Sequence, residues 1–292
     1  MKNNEIYLDI YLCSFASSDL RKSRLRFENQ AKEMKIYKDV KIFNEKDLSE
    51  KKKNQIYELN KIKKRLYGYG SWKPEIIQNC LKEIPENSIL QYSDIGCHLN
   101  PKGLRRLKDY LSLLNENNIL GFKYIVPTKS NYDKFKYQEY FEYQYTKGDV
   151  LKYFKIDMNS EIVNSQQFWS GTIFFKNNNF TKNFVNQWSE ACKKNYLIND
   201  LESASTNHQN FIEHRHDQSL FSIIAKLNNV FFLSASECEW AEDKNGRTWE
   251  HLAENPIIAK RDKKLNILKS FFSRQKKNYN RVLKKLERWP SG

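Results

Sequence analysis

The stretch NSILQYSDIGCHLN, residues 87–100, ends a short apolar run on one acid. Ile89 and Leu90 lead through Gln91, Tyr92 and Ser93 to Asp94, and Ile95, Gly96, Cys97, His98 and an Asn-Pro pair follow. A short run between Pro85 and Gly96 reads as a buried strand over Ser88–Ser93. Asn100-Pro101 then suits the start of a helix carrying Leu104, Leu107, Tyr110, Leu111 and Leu114. In an open α/β sheet, ligands bind beyond the carboxyl ends of the strands. Asp94 stands at such an end, and Gly96 would let a ligand approach the backbone closely.

Outward from this stretch the alternation continues. Upstream, Lys73–Ile84 reads as a helix, with Pro74 in its first turn, Glu75 matched to the helix dipole, and Ile76, Ile77, Cys80, Leu81 and Ile84 on one face. Further back come a strand over Ile6–Phe15, a basic helix over Leu20–Met34, a strand over Asp39–Phe43 and a polar helix over Lys46–Lys64. Downstream follow strands over Ile119–Val126, Phe168–Lys176 and Val230–Leu233, with helices over Thr181–Asn195 and Asp217–Leu227. Residues 198–213 are polar and loop-like, and 234–258 lack periodicity. The pattern predicts an α/β domain with a mixed, mainly parallel sheet flanked by helices.

Composition bounds the function. The 292 residues suffice for one large α/β domain without disulfide staples. The five cysteines, Cys13, Cys80, Cys97, Cys192 and Cys238, are far apart and odd in number, which argues for a reducing compartment. Asp9 interrupts the apolar start, so a first strand is expected there and not a signal peptide. No window approaches a membrane span, and a cytoplasmic protein is expected. The net charge of +15 is concentrated in residues 260–289, where twelve Lys or Arg face only Asp262 and Glu287. There Leu265, Leu268, Phe272, Tyr279, Val282, Leu286 and Trp289 mark one amphipathic helix. Such a helix either lies on an anionic membrane surface, making the protein peripheral on the inner face of the cytoplasmic membrane, or packs on the main domain or a second subunit.

Two more segments carry chemistry. Residues 67–77, YGYGSWKPEII, set Tyr69 and Trp72 before Lys73 at a helix start. Rings can stack on a base, and a lysine with first-turn amides can meet phosphate. The bland alternative is a Gly-rich turn with a packed tryptophan. Residues 213–219, EHRHDQS, are the densest ionisable cluster. An acid or histidine here could act as a base and Arg215 could hold phosphate; otherwise Asp217 is a helix N-cap and His214 and His216 are exposed. Cys97 lacks a nucleophile's partners and reads as a packed thiol. There is no GxGxxG and no P-loop.

Taken in order, YGYGSWKPEII, YSDIGCHLN, FWSGTIFFKN and EHRHDQSLFS resemble bacterial surface-polysaccharide glycosyltransferases of the GT-A fold. CSFASSDLRKSRLRFENQAKEM and IFNEKDL look like that family's opening strand–helix–strand. The resemblance covers roughly residues 5–262. It implies a catalytic domain over 1–262, with a nucleotide half to about 126 and an acceptor half from 127, and a basic tail over 263–292. It also implies a nucleotide-sugar donor, most often a UDP-sugar, and a glycan or lipid-linked glycan acceptor in capsule or lipooligosaccharide synthesis. Ser14, Phe15, Tyr69, Trp72, Lys73, Ser93, Asp94, Ile95, Gly96 and Arg215 would then bind the donor. Trp169, Ser170, Gly171 and His216 would border the sugar and acceptor. Asp94 would stand in an acidic motif that usually reads Asp-any-Asp and holds Mn²⁺ or Mg²⁺, but the third position here is Gly96. Either another ligand joins Asp94, with His98 or His251 as the expected donors, or the enzyme works without a metal and Lys73, Arg215, Lys260 or Arg261 neutralise the diphosphate.

Inversion would need a base, for which Asp217 is the first choice and Glu213 the second. Under retention Asp217 and Gln218 would contact the donor sugar instead. Two rivals stand beside this reading. A nucleic-acid-binding protein would use the tail, but the charge is confined to one helix and no recognition motif is present. A nucleotidyl- or phosphoryl-transfer enzyme would need two metals, and only one clear carboxylate position is found.

Overall fold

The computed structural model describes residues 9–127 and 134–260. The basic helix expected over 263–292 and the first part of the first strand lie outside them. Six strands build the central sheet: β1 (Ile10–Phe15), β2 (Tyr37–Phe43), β3 (Ile89–Ser93), β4 (Ile119–Lys123), β5 (Phe168–Lys176) and β6 (Phe231–Ser234). Six longer helices alternate with them: α1 (Arg21–Met34), α2 (Glu50–Ile62), α3 (Lys73–Glu83), α4 (Leu104–Leu113), α5 (Asn179–Cys192) and α6 (Asp217–Leu227).

The strand order is β2-β1-β3-β5-β4-β6. β1 runs parallel to β2 and β3, and β4 parallel to β6; β5 is antiparallel to both β3 and β4. Five strands therefore point the same way and one is reversed, the mixed, mainly parallel sheet expected. β5, from the second half of the chain, sits between β3 and β4, so both halves share one sheet.

Helices cover both faces. α2, α3, α5 and α6 pack through Ile56, Ile77, Trp188 and Phe221 on the face carrying Phe15, Leu90, Tyr92 and Phe175. α1 and α4 pack through Phe27, Met34, Leu107 and Tyr110 on the face carrying Leu12, Ile89, Phe122 and Phe174. Strands buried on both faces read as continuous apolar runs, which is why β5 lacks alternation.

Element ends moved where caps decided them. The helix expected from Lys46 begins at Glu50, because the Ser49 hydroxyl accepts from the Lys52 amide and Asn44 caps a separate turn over Glu45–Asp47. The helix expected from Thr181 starts two residues earlier, since the Asn178 side chain accepts from the Thr181 amide. All five cysteines are buried thiols. No helix among the described residues is long and apolar enough to cross a membrane.

Candidate active site

The carboxyl ends of β1, β3 and β4 and the start of the reversed β5 form one edge of the sheet. Asp94 follows β3 there. Its amide donates to the Gly171 carbonyl at 2.8 Å, and its carbonyl accepts from the Cys97 amide at 2.8 Å. Arg26 of α1 ties the same turn down, donating to the carbonyls of Ile95 and Cys97 at 2.7 Å each. Gly171 has to be glycine: a Cβ there would lie 2.2 Å from the Trp169 ring. Tyr92 shares a face with Asp94, as a two-residue strand period requires, and its hydroxyl donates to Asp94 Oδ1 at 2.5 Å.

Lys73 reaches the edge from α3. The turn before it is unusual: Leu66, Tyr67, Gly68, Tyr69 and Gly70 all have positive φ, from 49° to 76°. Amide donation from Tyr69 to the Arg65 carbonyl and from Gly70 to the Leu66 carbonyl closes a left-handed turn. Each non-glycine residue in that conformation costs roughly 1–2 kcal/mol, and strain of this kind gathers at functional sites. The turn buries Tyr69 beside His216, with ring centroids 4.7 Å apart, and sets Trp72 flat on Phe15 at 4.0 Å. These two rings are packed together, as the bland reading of the segment had it; Tyr67 is only half-buried.

The Lys73 ammonium lies 2.7 Å from Asp217 Oδ2 and 3.2 Å from Asp94 Oδ1. It also donates to the Ser170 carbonyl and hydroxyl at 3.0 and 3.2 Å. Burial works against its charge, but Asp217 and Asp94 outweigh that and hold Lys73 above the ordinary lysine range. Asp217 is not the N-cap of α6. His216 occupies that position, at φ 54° and ψ −121°, and the Asp217 carboxylate turns inward to Lys73 and to the Ser170 hydroxyl, 2.9 Å away. Its other oxygen abuts Gly70, where a Cβ would lie 2.6 Å away. Burial pushes the Asp217 carboxyl up, and the nearby lysine only partly opposes this. The lysine and Asp217 side chains are 5% and 6% exposed, whereas that of Asp94 is 40% exposed. Asp94 Oδ2 accepts no hydrogen bond from the described residues. The cluster thus holds one cation and two acids, and presents its excess negative charge at one open oxygen.

The other expected residues are dispersed around this centre. Ser14 and Ser93 are buried, joining β1 to β3 through a hydroxyl-to-carbonyl bond of 2.6 Å. Ile95 is buried and Gly96 half-buried. His214 and His216 are buried, not exposed, because their ring nitrogens meet the carbonyls of Leu197 and Ile198 at 2.8 Å each. Burial lowers both, His216 to about 3; kept neutral, His216 makes no ion pair with Asp200, 3.4 Å away. Glu213 faces Arg65 at 3.8 Å. Gln218 donates to Gln167 at 2.7 Å. The Arg215 guanidinium packs against the rings of Tyr140 and Tyr145, at 4.0 and 3.8 Å.

His98 lies against Gln30 and His251 against the Glu239 carbonyl. Among the described residues no three His, Cys, Asp or Glu side chains converge as a metal set. What the site offers a hard cation is Asp94 Oδ2 backed by net negative charge. That fits an ion held mostly by substrate phosphates and water, and does not fit a cage built from protein. Tyr92 and Arg26 were missed in the sequence; the two-residue strand period could have found Tyr92, but nothing local marks Arg26.

No protein-family model and no curated protein matches the chain. Among solved structures it is similar to the bifunctional glycosyltransferase WbbM at 11% identity and TM-score 0.45, covering 80% of this chain and 40% of that one. It is similar to mouse xyloside xylosyltransferase 1 at 10% identity and TM-score 0.37, covering 80% and 87%. It is also similar to the bifunctional IspDF from Campylobacter jejuni at 12% identity and TM-score 0.33, covering 77% and 49%. At these scores the likenesses decide no chemistry, which rests on the chain's own residues.

Proposed function

We propose that the protein is a glycosyltransferase that moves a sugar from a nucleotide-sugar donor, of the UDP type, to a hydroxyl of a growing bacterial surface glycan such as capsule or lipooligosaccharide. One observation carries the reading. At the carboxyl edge of the sheet, Asp94 has one oxygen fixed by Tyr92 and Lys73 and the other open. The order of the four motifs around that acid supports it.

In this reading Asp94 Oδ2 would be the one ligand among the described residues to a Mg²⁺ or Mn²⁺ that arrives with the donor diphosphate. When bound, that ion neutralises charge developing on the departing diphosphate. Lys73 and Asp217 are positioning residues. The lysine holds Asp94 in one rotamer, and Asp217 keeps the lysine charged despite its burial. Asp217, the first choice for a base, is closed off beside Lys73, which favours a course in which the acceptor attacks from the side of the leaving group and its proton passes to an oxygen of the departing diphosphate. That course retains anomeric configuration, and the product anomer read by NMR checks it. Gln218 and Ser170 border the transferred sugar.

The test is a thermal-shift series with UDP, GDP, CMP and UDP-sugars, each with Mn²⁺ or EDTA, on wild type and Asp94→Asn. The expected result is stabilisation by one nucleotide, weakened by EDTA and lost in the variant. Absence of any shift in the wild type would sink the reading.

A further inference from the structure

Arg215 is a cation near the site that the scheme above leaves idle. Its guanidinium packs against the rings of Tyr140 and Tyr145, and Tyr140 is braced in turn by Tyr124 at 4.6 Å and Tyr145 at 5.1 Å. Its backbone is fixed as well, the amide meeting the Tyr145 carbonyl and the Ser219 hydroxyl at 3.1 Å each. Among the described residues no carboxylate or carbonyl accepts from the guanidinium. The two rings stand at 76° to each other with centroids 5.1 Å apart, so they pack on adjoining sides of the guanidinium, and its planar fork of N–H donors matches the paired oxygens of an anion. Pre-ordering by two rings removes most of the entropy cost of using it.

Position identifies the anion. The expected nucleotide segment, Ser14–Ser17, runs off the end of β1, and Asp94 follows β3. Tyr124 follows β4, and the Tyr140 carbonyl pairs with Gln167 at the start of β5. In the order β2-β1-β3-β5-β4-β6 the arginine therefore lies across Asp94 from the nucleotide segment. Beyond Tyr140 opens a cavity of about 660 Å³, lined by Val126, Phe135, Lys136, Tyr137, Glu139 and Glu242 among others. Its mixed charges and rings suit the hydroxyls and faces of a sugar.

We infer that Arg215, packed against Tyr140 and Tyr145, binds an anionic oxygen group on the acceptor, the carboxylate of an acidic sugar or a phosphate. This rests on the glycosyltransferase reading for the word acceptor, and it moves Arg215 away from the donor role expected of it.

The test measures binding of sodium glucuronate, glucose 1-phosphate and glucose to the full chain by NMR titration, with UDP binding measured in parallel. Wild type, Arg215→Lys and Arg215→Gln are compared, after thermal melts show that each is folded. Wild type should bind one anionic probe at least about tenfold more tightly than glucose, the scale of one charge-assisted pair. Arg215→Gln should lose that preference, Arg215→Lys should keep part of it, and UDP affinity should not move. Preference for glucuronate assigns a carboxylate, and preference for glucose 1-phosphate a phosphate. Equal binding of all three probes overturns the inference, as does loss of UDP binding in Arg215→Gln. If wild type binds no UDP yet loses anion binding in Arg215→Gln, the anion site stands and the transferase reading fails.

Discussion

Two buried lysines in this protein have opposite surroundings. Lys226 on α6 meets Glu142 at 2.6 Å, and Glu142 is fully enclosed. The same carboxylate accepts from Thr146, Gln167 and Ser222 as well, so both its oxygens are saturated. One cation faces one anion, and nothing is left open. Lys73 faces two acids, one of them reaching solvent. Burial lowers Lys226, and Glu142 does not make up the difference, whereas two carboxylates are enough to raise Lys73. A matched, sealed pair locks α6 to the short helix Glu142–Tyr145 and to β5. An unmatched, half-open cluster leaves one carboxylate oxygen facing solvent.

Substitutions that break this comparison rank by thermal stability. Glu142→Gln should cost most. It strands a buried ammonium at a cost of roughly 3–5 kcal/mol, or about 6–20 °C in the melting midpoint at about 2–4 °C per kcal/mol. Glu142→Gln with Lys226→Met should recover much of that. A loss under about 2 °C in the single variant would show that the sealed pair is not scaffolding.

Gly70→Ala comes next. A side chain at φ 75° is strained, and its Cβ would press on Asp217. A loss of about 1–3 kcal/mol is expected, together with weakened nucleotide binding, since Asp217 holds Lys73.

Lys73→Met should cost less, because Asp217 can take a proton. Its signature is pH dependence. A carboxyl raised above its unfolded value binds more protons when folded, so the variant's stability should fall as pH rises through that raised value. Melts of the variant across pH 4–8 that run parallel to wild type would contradict it.

His216 sharpens the sign rule from the other side. With a folded value of about 3 against the ordinary 6.5, the unfolded chain binds the extra proton. Stability should therefore rise with pH between those values, by up to about 1.4 kcal/mol per pH unit. Urea melts of His216→Gln should show a shallower rise. Asp94→Asn should be nearly neutral for stability, under about 1 kcal/mol for a half-exposed acid, while abolishing the nucleotide shift.

Local pattern was enough for most elements. β5 and α6 match their expected spans, and the alternation predicted a mixed, mainly parallel sheet, because burial period and length are properties of short segments. The place of Asp94 just beyond the end of β3 was legible for the same reason, since that strand is bounded locally. The partner of that acid was not. Lys73, Asp94, Ser170 and Asp217 come from four segments spread over about half the chain, and only sheet order brings them within 3.2 Å of one ammonium. The left-handed turn at 66–70 was hidden too, because only two of its five residues are glycine and tertiary contacts must hold the others there. Burial decided the remaining roles. The histidines flanking Arg215 look exposed in a polar run, yet they are enclosed, and Asp217 looks like a cap, yet it faces a lysine. Sequence determined which groups the protein owns and on which elements they ride. Packing decided which charges meet and which one is left open to a ligand, because Coulomb energy and desolvation depend on distances and burial that no single segment contains.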